Sequence, residues 1–515
     1  MSSPANRSLK VLFTAAEVAP FAKVGGLGDV VGSLPKALRK QGVDARVLMP
    51  MYGFIDRAAY NIAPLFNFQF SKRTGLADIY ISYTEYDGVP IYFLTSWPFF
   101  GEGGYLYTDW KWDVTRFVFF GQTILATMWQ LKSGTGGQDA WFPDMLHVHD
   151  WHTGLAPFLL REAQRDSNWA HMGSVLTIHN MAYQGDSAGG FLWDAGVPER
   201  TQPDLIYQNK ADNLLGIGIA YSDKVTTVSP RYAVEIQYPR FGEGLEGLVK
   251  VRDIQGDVEG ILNGIDVDRW NPATDQWLPN RFSAEDFVEA RAKNKAALQH
   301  EAGFAIRPDT PLIGMVTRLV DQKGVDLALA ALRRLFVDTD CQFVVLGTGD
   351  KILENGLWRL CNDFRWKARA YLQYDAILSQ RIYGACDLFL MPSRYEPCGI
   401  GQMMAMRYGA LPVVRETGGL ADTVQNYDNG DGSVGTGFVF LWEEPDAVLN
   451  TLRWAIDIYR FRKDAFHKMQ ERAMRTDFSW DKSAREYIAL YERVVARHTA
   501  AETIKPARKR AAKKA

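Results

Sequence analysis

Short runs of β-branched and aromatic residues alternate with helical stretches along most of the 515-residue chain. In the first half this pattern predicts strands at KVLFTAA, ARVLMP, PIYFLTS, DMLHVH, SVLTIH and KVTTVS. Between the first two, the stretch GDVVGSLPKALRKQG repeats apolar residues at helical spacing, and Gly42 is a stop signal. Pro35 inside this stretch either kinks the helix or marks its true start after Ser33. The alternation predicts parallel sheets built from strand–helix–strand units.

The second half repeats the alternation, which predicts a second sheet. Its strands fall at PLIGMVTRL, QFVVLGTG, RAYLQY, LFLMPS, LPVVRE and GFVF. We therefore predict an α/β fold with two doubly wound domains, residues 1–258 and 259–479. The amphipathic helix 480–498 is predicted to pack back on the first domain. Ligands of such folds bind outside the carboxyl ends of strands, so the predicted site is the cleft between the two domains.

Composition and charge restrict the function classes. Hydrophobic residues make up 47% and charged residues 23%, as in globular proteins, and the formal net charge of −2 argues against nucleic acid as the main partner. The four cysteines contain no CxxC pair, which indicates a reducing compartment and neither a disulfide frame nor a cysteine zinc site. No apolar run reaches the ~18–20 residues that a membrane span needs. We predict a cytoplasmic protein with no membrane partner, and a basic, disordered tail at 499–515.

A glycine-rich turn follows the first predicted strand, in the segment FAKVGGLGDV. Glycines let backbone N–H groups turn toward a ligand, and Lys23 adds a mobile positive charge, which predicts a site for an anion such as phosphate. The spacing does not match GxGxxG, so a nicotinamide dinucleotide loses its main support. Glu17 interrupts the apolar run before the turn, and this run is therefore predicted to be a strand and not a signal peptide.

Half of the eight histidines lie at the ends of two predicted strands, in HVHDWH and at His179. The HxH pair, His147 and His149, could ligate a metal with His179 as a further ligand. The alternative is that strand alternation buries one of the pair in the core while Asp150 caps the next helix. No HExxH motif accompanies these residues, and neither of the two DxD pairs follows a strand. We therefore predict no metal.

Charged residues also follow strands in the second half. Arg318 ends a strand, and Lys323 precedes a glycine at the start of a helix. Two cations there can hold a diphosphate, with roughly 1.5–3 kcal/mol from each charge-assisted hydrogen bond, or form a plain surface pair. The turn LGTGD is suited to close approach of a ligand, and Glu396 lies in a Pro-Cys-Gly turn ahead of a helix. A carboxylate there can grip a sugar, so the set predicts group transfer from a phosphorylated donor.

Seven segments together resemble one enzyme family: KVGGLGDVVGSLPKAL, HVHDWHTGLAP, TIHNMAYQG, GILNGIDVDRWNP, TRLVDQKGVDL, PSRYEPCGIGQ and RETGGLADTV. The chain resembles, from Leu9 to about His498, the bacterial glycogen synthase and plant starch synthase family (GT5). These are retaining glycosyltransferases of the GT-B type, which has two Rossmann-like domains. The resemblance implies transfer of glucose from ADP-glucose to the nonreducing 4-hydroxyl of an α-1,4-glucan such as glycogen, with no cofactor.

The resemblance also implies roles for individual residues. Lys23 matches a lysine for ADP-glucose, Arg318 and Lys323 match two cations on the diphosphate, and Glu396 matches the active-site carboxylate. Tyr374 takes the place of an aromatic that stacks on adenine, with a core aromatic as the alternative. The implied catalytic residues are Glu396, His179, Arg318 and Lys323. The implied substrate-binding residues are Lys23, Gly25, Gly26, Asp29, Asp150, Asn180, Asn263, Tyr374, Cys398, Gly399, Ile400 and Gly401.

Two segments depart from the family pattern. Ile400-Gly401 stands where a leucine followed by threonine or asparagine is usual, which removes a polar side chain near the phosphate. Val114 follows Asp113 where the family has asparagine, on the acceptor side. The chain offers no obvious carboxylate pair for a covalent glycosyl-enzyme, so same-face attack is favoured. The alternatives are a related transferase that uses UDP-glucose or another acceptor, a metal-dependent hydrolase built on HVHDWH, and a catalytically silent glucan-binding protein.

Overall fold

The computed structural model describes the backbone of residues 8–511 and the side chains of residues 8–500. The chain divides into two compact units. Unit 1 holds the residues up to 228, residues 233–261 and the residues from 480 onward, and unit 2 holds residues 229–232 and 262–479. Across the described residues, no helix is both long and apolar enough to cross a membrane. The cleft predicted from the sequence stays a prediction.

The sheet of unit 1 contains every strand predicted in the first half. Its strands are β1 (Lys10–Thr14), β2 (Asp44–Pro50), β3 (Ala63–Lys72), β4 (Gly75–Tyr86), β5 (Val89–Thr95), β6 (Met145–His149), β7 (Gly173–Ile178), β8 (Lys224–Thr227) and β9 (Val258–Gly260). Their order is β3-β4-β5-β2-β1-β6-β7-β8-β9. All neighbours from β5 to β9 in this order are parallel.

An antiparallel extension, β3 and β4, was not predicted. The two strands pair with each other and β4 pairs with β5, so the sheet of unit 1 is mixed and not purely parallel. Only two residues, Arg73 and Thr74, connect β3 to β4, which suits a hairpin and leaves no room for a crossover helix. β4 alternates exposed and buried residues, and β3 is largely exposed at the edge of the sheet. These strands therefore lack the continuous apolar run of a strand buried on both faces.

The helices that begin before residue 258 belong to unit 1, except that the helix Pro230–Glu235 begins in the segment 229–232 of unit 2. They are α1 (Gly26–Lys40), α2 (Trp110–Lys132), α3 (Asp150–Thr153), α4 (Ala156–Ala163), α5 (Gly189–Asp194), α6 (Pro203–Tyr207), α7 (Leu214–Tyr221), α8 (Pro230–Glu235), α9 (Pro239–Gly242) and α10 (Glu246–Ile254). Pro35 lies inside α1, so a helix start after Ser33 is wrong. α1 buries the apolar face that its spacing predicts, including Val30, Leu34 and Leu38.

Unit 2 has a fully parallel six-stranded sheet, again with every predicted strand present. Its strands are β10 (Leu312–Val316), β11 (Gln342–Leu346), β12 (Ala368–Tyr371), β13 (Leu388–Met391), β14 (Leu411–Arg415) and β15 (Phe438–Phe440). The order is β12-β11-β10-β13-β14-β15. The helices are α11 (Phe287–Glu301), α12 (Val325–Asp338), α13 (Lys351–Asp363), α14 (Ala376–Ala385), α15 (Gly401–Arg407), α16 (Gly418–Thr423), α17 (Pro445–Phe461) and α18 (Lys463–Arg475). A core cluster of this unit includes Leu298, Leu312, Ile382 and Phe389.

The last helix, α19 (Trp480–Ala511), belongs to unit 1, where it contacts α1 and β7. Its side chains Tyr487 and Tyr491 are fully buried. The helix contains the predicted segment 480–498. The predicted disordered tail overlaps its last turns over 499–511, and residues 512–515 lie outside the described residues. The domain boundaries and the disorder of the tail stay predictions.

Each sheet winds outward in both directions from its first strand. In unit 2 the strand order reverses between β10 and β13, and in unit 1 it reverses between β1 and β6. Doubly wound sheets bind ligands at such a reversal, outside the carboxyl ends of the strands. The segments that leave β1, β6, β10 and β13 are therefore expected to carry the site residues.

Candidate functional site

Two loops of unit 2 meet where β10 and β13 end. The ammonium group of Lys323 donates hydrogen bonds to both carboxylate oxygens of Glu396, at 2.8 Å to Oε1 and 2.6 Å to Oε2. The hydroxyl of Ser393 donates a third hydrogen bond to Oε2 at 2.9 Å. The Lys323 and Glu396 side chains are only 16% and 7% exposed. The sequence-predicted cation and carboxylate thus form one partly buried ion pair.

The main chains of these two loops are in direct contact. Gly324 has φ +62°, and a Cβ built there would lie 2.1 Å from the carbonyl oxygen of Pro392. Only glycine permits this conformation and this approach without strain. The side-chain amide of Gln322 also donates to the carbonyl of Tyr395 at 3.2 Å. The positions of the two charged groups are therefore set by backbone contacts and not by the ion pair alone.

Arg318 lies on the first of these loops with an exposed side chain, and no ion pair engages it within the described residues. The glycines of the LGTGD turn lie behind this loop. A Cβ at Gly347 would be 1.9 Å from the carbonyl oxygen of Thr317, and one at Gly349 would be 2.3 Å from that of Leu319. The sequence predicts close approach of a ligand for this turn. In the structure the close approach is to main chain, and it supports the loop that carries Arg318.

A pair of glycines supports the turn that carries Glu396. A Cβ at Gly418 would lie 1.9 Å from the carbonyl oxygen of Glu396, and one at Gly419 would lie 2.0 Å from that of Cys398. The N–H of Gly419 donates to the Glu396 carbonyl at 3.0 Å. Sequence reasoning gave this pair no role. The available signal was two adjacent glycines soon after a predicted strand.

Asn263 contacts the turn that carries Glu396 through Cys398. Asn263 donates its backbone N–H to the thiol of Cys398, and burial raises the pKa of this thiol to about 12, so it is neutral. The side-chain oxygen of Asn263 is buried without a partner among the described residues, and such an acceptor is free to take a hydrogen bond from a ligand. Gly399 has φ +71°. A Cβ at Gly401 would meet its nearest neighbour at 3.4 Å, so a side chain would fit there.

Tyr374 follows β12 and is 89% exposed. The alternative that this residue is a core aromatic at a strand end is therefore wrong. An exposed ring at the carboxyl end of a parallel strand is available for stacking against a planar ligand.

In unit 1, the glycine-rich turn after β1 is held by a buried carboxylate. Glu17, 4% exposed, accepts the N–H groups of Val24 at 2.7 Å and Gly25 at 3.0 Å. The hydroxyl of Tyr107 donates to its other oxygen at 2.7 Å. The N–H of Gly25, which was predicted to face an anion, is thus bonded to Glu17. The space beside Gly26 is open, since a Cβ built there would meet no described heavy atom within 4 Å. Glu17 and Tyr107 are site residues that sequence reasoning missed; the signal was an acidic residue inside an apolar run.

Two more of the predicted residues form an ion pair beside this turn. The ammonium group of Lys23 lies 2.6 Å from Asp29, and the two side chains are 44% and 32% exposed. Because both groups are in contact with solvent, water screens their attraction, and the pair can open at little cost in free energy. Lys23 is therefore available to an anion.

The segments after β6 and β7 are joined through Asp150. Asp150 adopts φ +52°, a conformation that costs free energy for a residue with a side chain. Its carboxylate accepts the N–H of His179 at 2.7 Å and also that of Asn180. The expectation that Asp150 caps the next helix is wrong, because its acceptors are used by the neighbouring segment. Burial raises the pKa of Asp150 to about 7 despite these two hydrogen bonds.

The histidines at the ends of these strands are neutral; His147 and His149 are buried, and His179 is half-buried. His147 and His149 are both fully buried, so the expectation that only one of them enters the core is wrong. The two ring nitrogens of His147 contact the hydroxyls of Tyr491 and Thr177, each at 2.7 Å. Burial lowers the pKa of His179 to about 3 and that of His149 well below its ordinary value. Neutral imidazoles can donate or accept hydrogen bonds at pH 7 without adding charge.

Known proteins resemble this chain over most of its length. Residues 10–251 match the family described as the starch synthase catalytic domain, and residues 299–473 match glycosyl transferases group 1. The chain is 41% identical to glycogen synthase 1 of Synechocystis sp. over 488 residues, 95% of each protein. It is 42% identical to a glycogen synthase of Streptococcus pneumoniae over 491 residues, 95% of this chain and 100% of that protein.

Solved structures show the same relationship. The catalytic domain of starch synthase IV from Arabidopsis thaliana, bound to ADP and acarbose, has a TM-score of 0.84 and 34% identity. The match covers 95% of this chain and all of that one. Sucrose-phosphate synthase from Thermosynechococcus elongatus shares the fold alone, at a TM-score of 0.59 and 17% identity. The chain belongs to the glycogen and starch synthase family, and it is a hexosyltransferase with the GT-B fold.

Proposed function

We propose that this enzyme transfers glucose from ADP-glucose to the nonreducing 4-hydroxyl of an α-1,4-glucan such as glycogen, with retention of the α configuration. The relatives named glycogen synthase support the glucan as product. The Arabidopsis structure, which contains ADP, supports an adenine nucleotide as the carrier of the sugar. The proposal places the enzyme in the cytoplasm, in keeping with four unpaired cysteine thiols.

The ion pair between Lys323 and Glu396 is the observation that carries the proposal. It lies at the reversal of strand order in unit 2, and the exposed Arg318 precedes Lys323 on the loop that follows β10. We assign both cations to the diphosphate of the donor and Glu396 to the transferred sugar. Charged donors fixed before the reaction stabilise the negative charge that develops on the leaving group. The cations of the chain can supply this charge, so the proposal requires no metal.

The step that we propose is attack on the same face of the sugar from which ADP leaves. The bond between the anomeric carbon and the phosphate oxygen breaks, and its electron pair stays on ADP. The glucan 4-hydroxyl oxygen forms the new bond to the anomeric carbon, and its proton passes to the departing phosphate. Glu396 balances the positive charge that builds on the sugar and orients sugar hydroxyls. No co-reactant is needed.

The residues of unit 1 have matching assignments. Lys23 would bind donor phosphate once its exposed pairing with Asp29 opens, with Gly26 as a further backbone contact. His179 and Asn180 would bind the transferred glucose, and Asp150 holds the main chain of both. Gly25 can donate to a phosphate only if it leaves Glu17.

The remaining assignments concern the nucleotide and the turn around Glu396. Tyr374, with its exposed ring, would stack on adenine. Asn263, with its unpaired buried oxygen, would accept a hydrogen bond from the substrate. The segment from Cys398 through Gly399, Ile400 and Gly401 would offer main-chain groups to phosphate, since Gly401 has no polar side chain to offer.

The decisive experiment measures ADP release from ADP-glucose with and without glycogen, in the presence of a chelator. We expect release that depends on glycogen and is unaffected by the chelator. Parallel assays with UDP-glucose test the related-transferase alternative, which faster turnover of UDP-glucose would favour. Loss of activity in chelator would favour a metal-dependent hydrolase, and binding of glycogen without ADP release would indicate a silent glucan-binding protein.

A further inference from the structure

Two histidines at neighbouring strand ends share one hydrogen bond. Nδ1 of His149 and Nε2 of His179 lie 2.9 Å apart. A neutral imidazole carries one N–H and one bare nitrogen, so one of these two nitrogens donates and the other accepts. The direction of this hydrogen bond fixes the tautomer of both rings. In the ring that donates, the second nitrogen is bare; in the ring that accepts, the second nitrogen carries the proton.

The surroundings of His149 decide the direction. Its other nitrogen, Nε2, is buried and has no partner among the described residues. If His179 donated, His149 would carry its N–H at Nε2, as a buried donor with nothing to receive it. If His149 donates from Nδ1, the unpaired Nε2 is only an acceptor. Unpaired buried N–H groups are rarer than unpaired acceptors, so the second arrangement is favoured.

The ring of His149 has little freedom to turn away from this arrangement. It is fully buried and stacks on Phe13 with ring centroids 5.7 Å apart and an interplanar angle of 19°. Its backbone N–H donates to the hydroxyl of Thr153 at 2.8 Å. The next residue, Asp150, holds the main chain of His179 through the 2.7 Å hydrogen bond. His149, the last residue of β6, thus holds the imidazole of His179, and the next residue, Asp150, holds its backbone.

We propose that His149 is a positioning residue that keeps His179 in the tautomer with its proton on Nδ1, so that His179 offers the sugar a hydrogen-bond donor and not a base. The inference rests on the proposed function for the identity of the sugar. It deepens that function, because a donor at this place can bind a sugar oxygen but cannot take the proton of the attacking glucan hydroxyl. This tautomer agrees with the proposed step, in which that proton passes to the departing phosphate.

The tautomer can be read directly in the unmodified enzyme. Protein labelled with ¹⁵N in its histidine rings gives two-bond proton–nitrogen correlations that distinguish protonated from bare ring nitrogens. The His179 signals are assigned by their loss in His179→Gln. We expect Nδ1 of His179 to be protonated and Nε2 to be bare. Protonation at Nε2 would overturn the proposal, and this measurement does not depend on which sugar nucleotide is used.

Two variants of similar shape test the role in turnover. In His149→Asn the side-chain amide can replace the Nδ1 donor, whereas His149→Leu cannot donate. We expect kcat in His149→Leu to fall at least about tenfold, with KM for ADP-glucose within about twofold, and His149→Asn to recover most of the loss. Equal kcat in both variants and the wild type would overturn the proposal. If His149→Leu does not fold, the wild-type spectrum still decides.

Discussion

Glu396 and Lys323 lie on different loops of unit 2, 73 residues apart in the chain, and their charged groups are 2.6 Å apart at the closest. Taking two charges out of water costs free energy that their pairing offsets, so loss of either one leaves the other buried and uncompensated. A diphosphate at this place would compete with Glu396 for Lys323. The same contact therefore stabilises the free enzyme and holds the cation ready for the donor.

Lys323→Ala should lower kcat by more than about tenfold and reduce the free energy of unfolding by about 1–3 kcal/mol. The reason is that the variant removes a donor to the leaving group and leaves Glu396 with Ser393 as its remaining side-chain donor. Steady-state ADP release and urea unfolding measure the two effects. The control is Lys351→Ala, which breaks a pair whose lysine is 83% exposed and should change neither quantity appreciably. Wild-type turnover in Lys323→Ala would contradict the assignment to the diphosphate.

Glu396→Ala should damage turnover more than Glu396→Asp does. Aspartate keeps a carboxylate that can still accept from Lys323, whereas alanine leaves the ammonium group without its partner and the sugar without a balancing charge. The measurement is kcat for ADP-glucose at saturating glycogen. Equal and mild effects of the two substitutions would count against direct contact between Glu396 and the sugar.

Arg318→Ala should separate activity from stability. Its exposed guanidinium has no ion-pair partner in the described part of the chain, so its removal should change the free energy of unfolding by no more than about 0.5 kcal/mol. We expect kcat/KM for ADP-glucose to fall more than about tenfold. Arg359→Ala, another exposed arginine of unit 2, is the matched control and should leave both values near the wild type. Similar kinetics in the two variants would remove Arg318 from the donor site.

Glu17→Ala should loosen the glycine-rich turn. It takes away the acceptor of two backbone N–H groups and of the Tyr107 hydroxyl, all partly buried, at about 0.5–1.5 kcal/mol for each hydrogen bond lost. Hydrogen exchange of the peptide that covers residues 21–30 should become faster, and KM for ADP-glucose should rise. Glu85→Ala, at an exposed position of β4, is the control. Unchanged exchange in Glu17→Ala would show that the turn is held by other contacts.

The central strands and the winding of both sheets could be predicted from the sequence because central parallel strands are buried on both faces. Their apolar runs are therefore continuous and stand out from the helices between them. The three-residue edge strand β9 was not predicted. The hairpin of β3 and β4 could not be predicted in this way, since an edge hairpin mixes polar and apolar residues. The two errors at HVHDWH have separate causes. His147 and His149 are two positions apart and share one face of β6, with ring centroids 4.3 Å apart, so one is not buried without the other. The role of Asp150 depends on the pairing of β6 with β7, which brings the N–H of His179 to its carboxylate.

Single residue types could be predicted for the candidate site, but their partners could not. Lys323 and Glu396 were expected separately, and only the parallel pairing of β10 with β13 brings their loops together. The contact of Gly418 with the Glu396 carbonyl also depends on the folded chain, because nothing local to either segment encodes it. Glu17 was visible as an interruption of an apolar run, but its bonds to the turn depend on the path of the chain after β1.

Asp150→Asn should change how stability depends on pH. Burial raises the pKa of Asp150 from 3.8 to about 7, so between these values the folded protein binds a proton that the unfolded chain does not. Stability contributed by this group is present below pH 4 and is lost as pH rises to about 7. The asparagine variant lacks this loss, so its free energy of unfolding relative to the wild type should rise between pH 4 and 7, by on the order of 4 kcal/mol, and then stay level. The pKa values of His149, His152 and His179 are lowered, so these residues act in the opposite direction in both proteins and largely cancel in the comparison. Urea unfolding from pH 4 to 8 measures the difference, with the exposed Asp186→Asn as control. A difference that stays constant across this range would mean that Asp150 is ionised in the folded enzyme throughout.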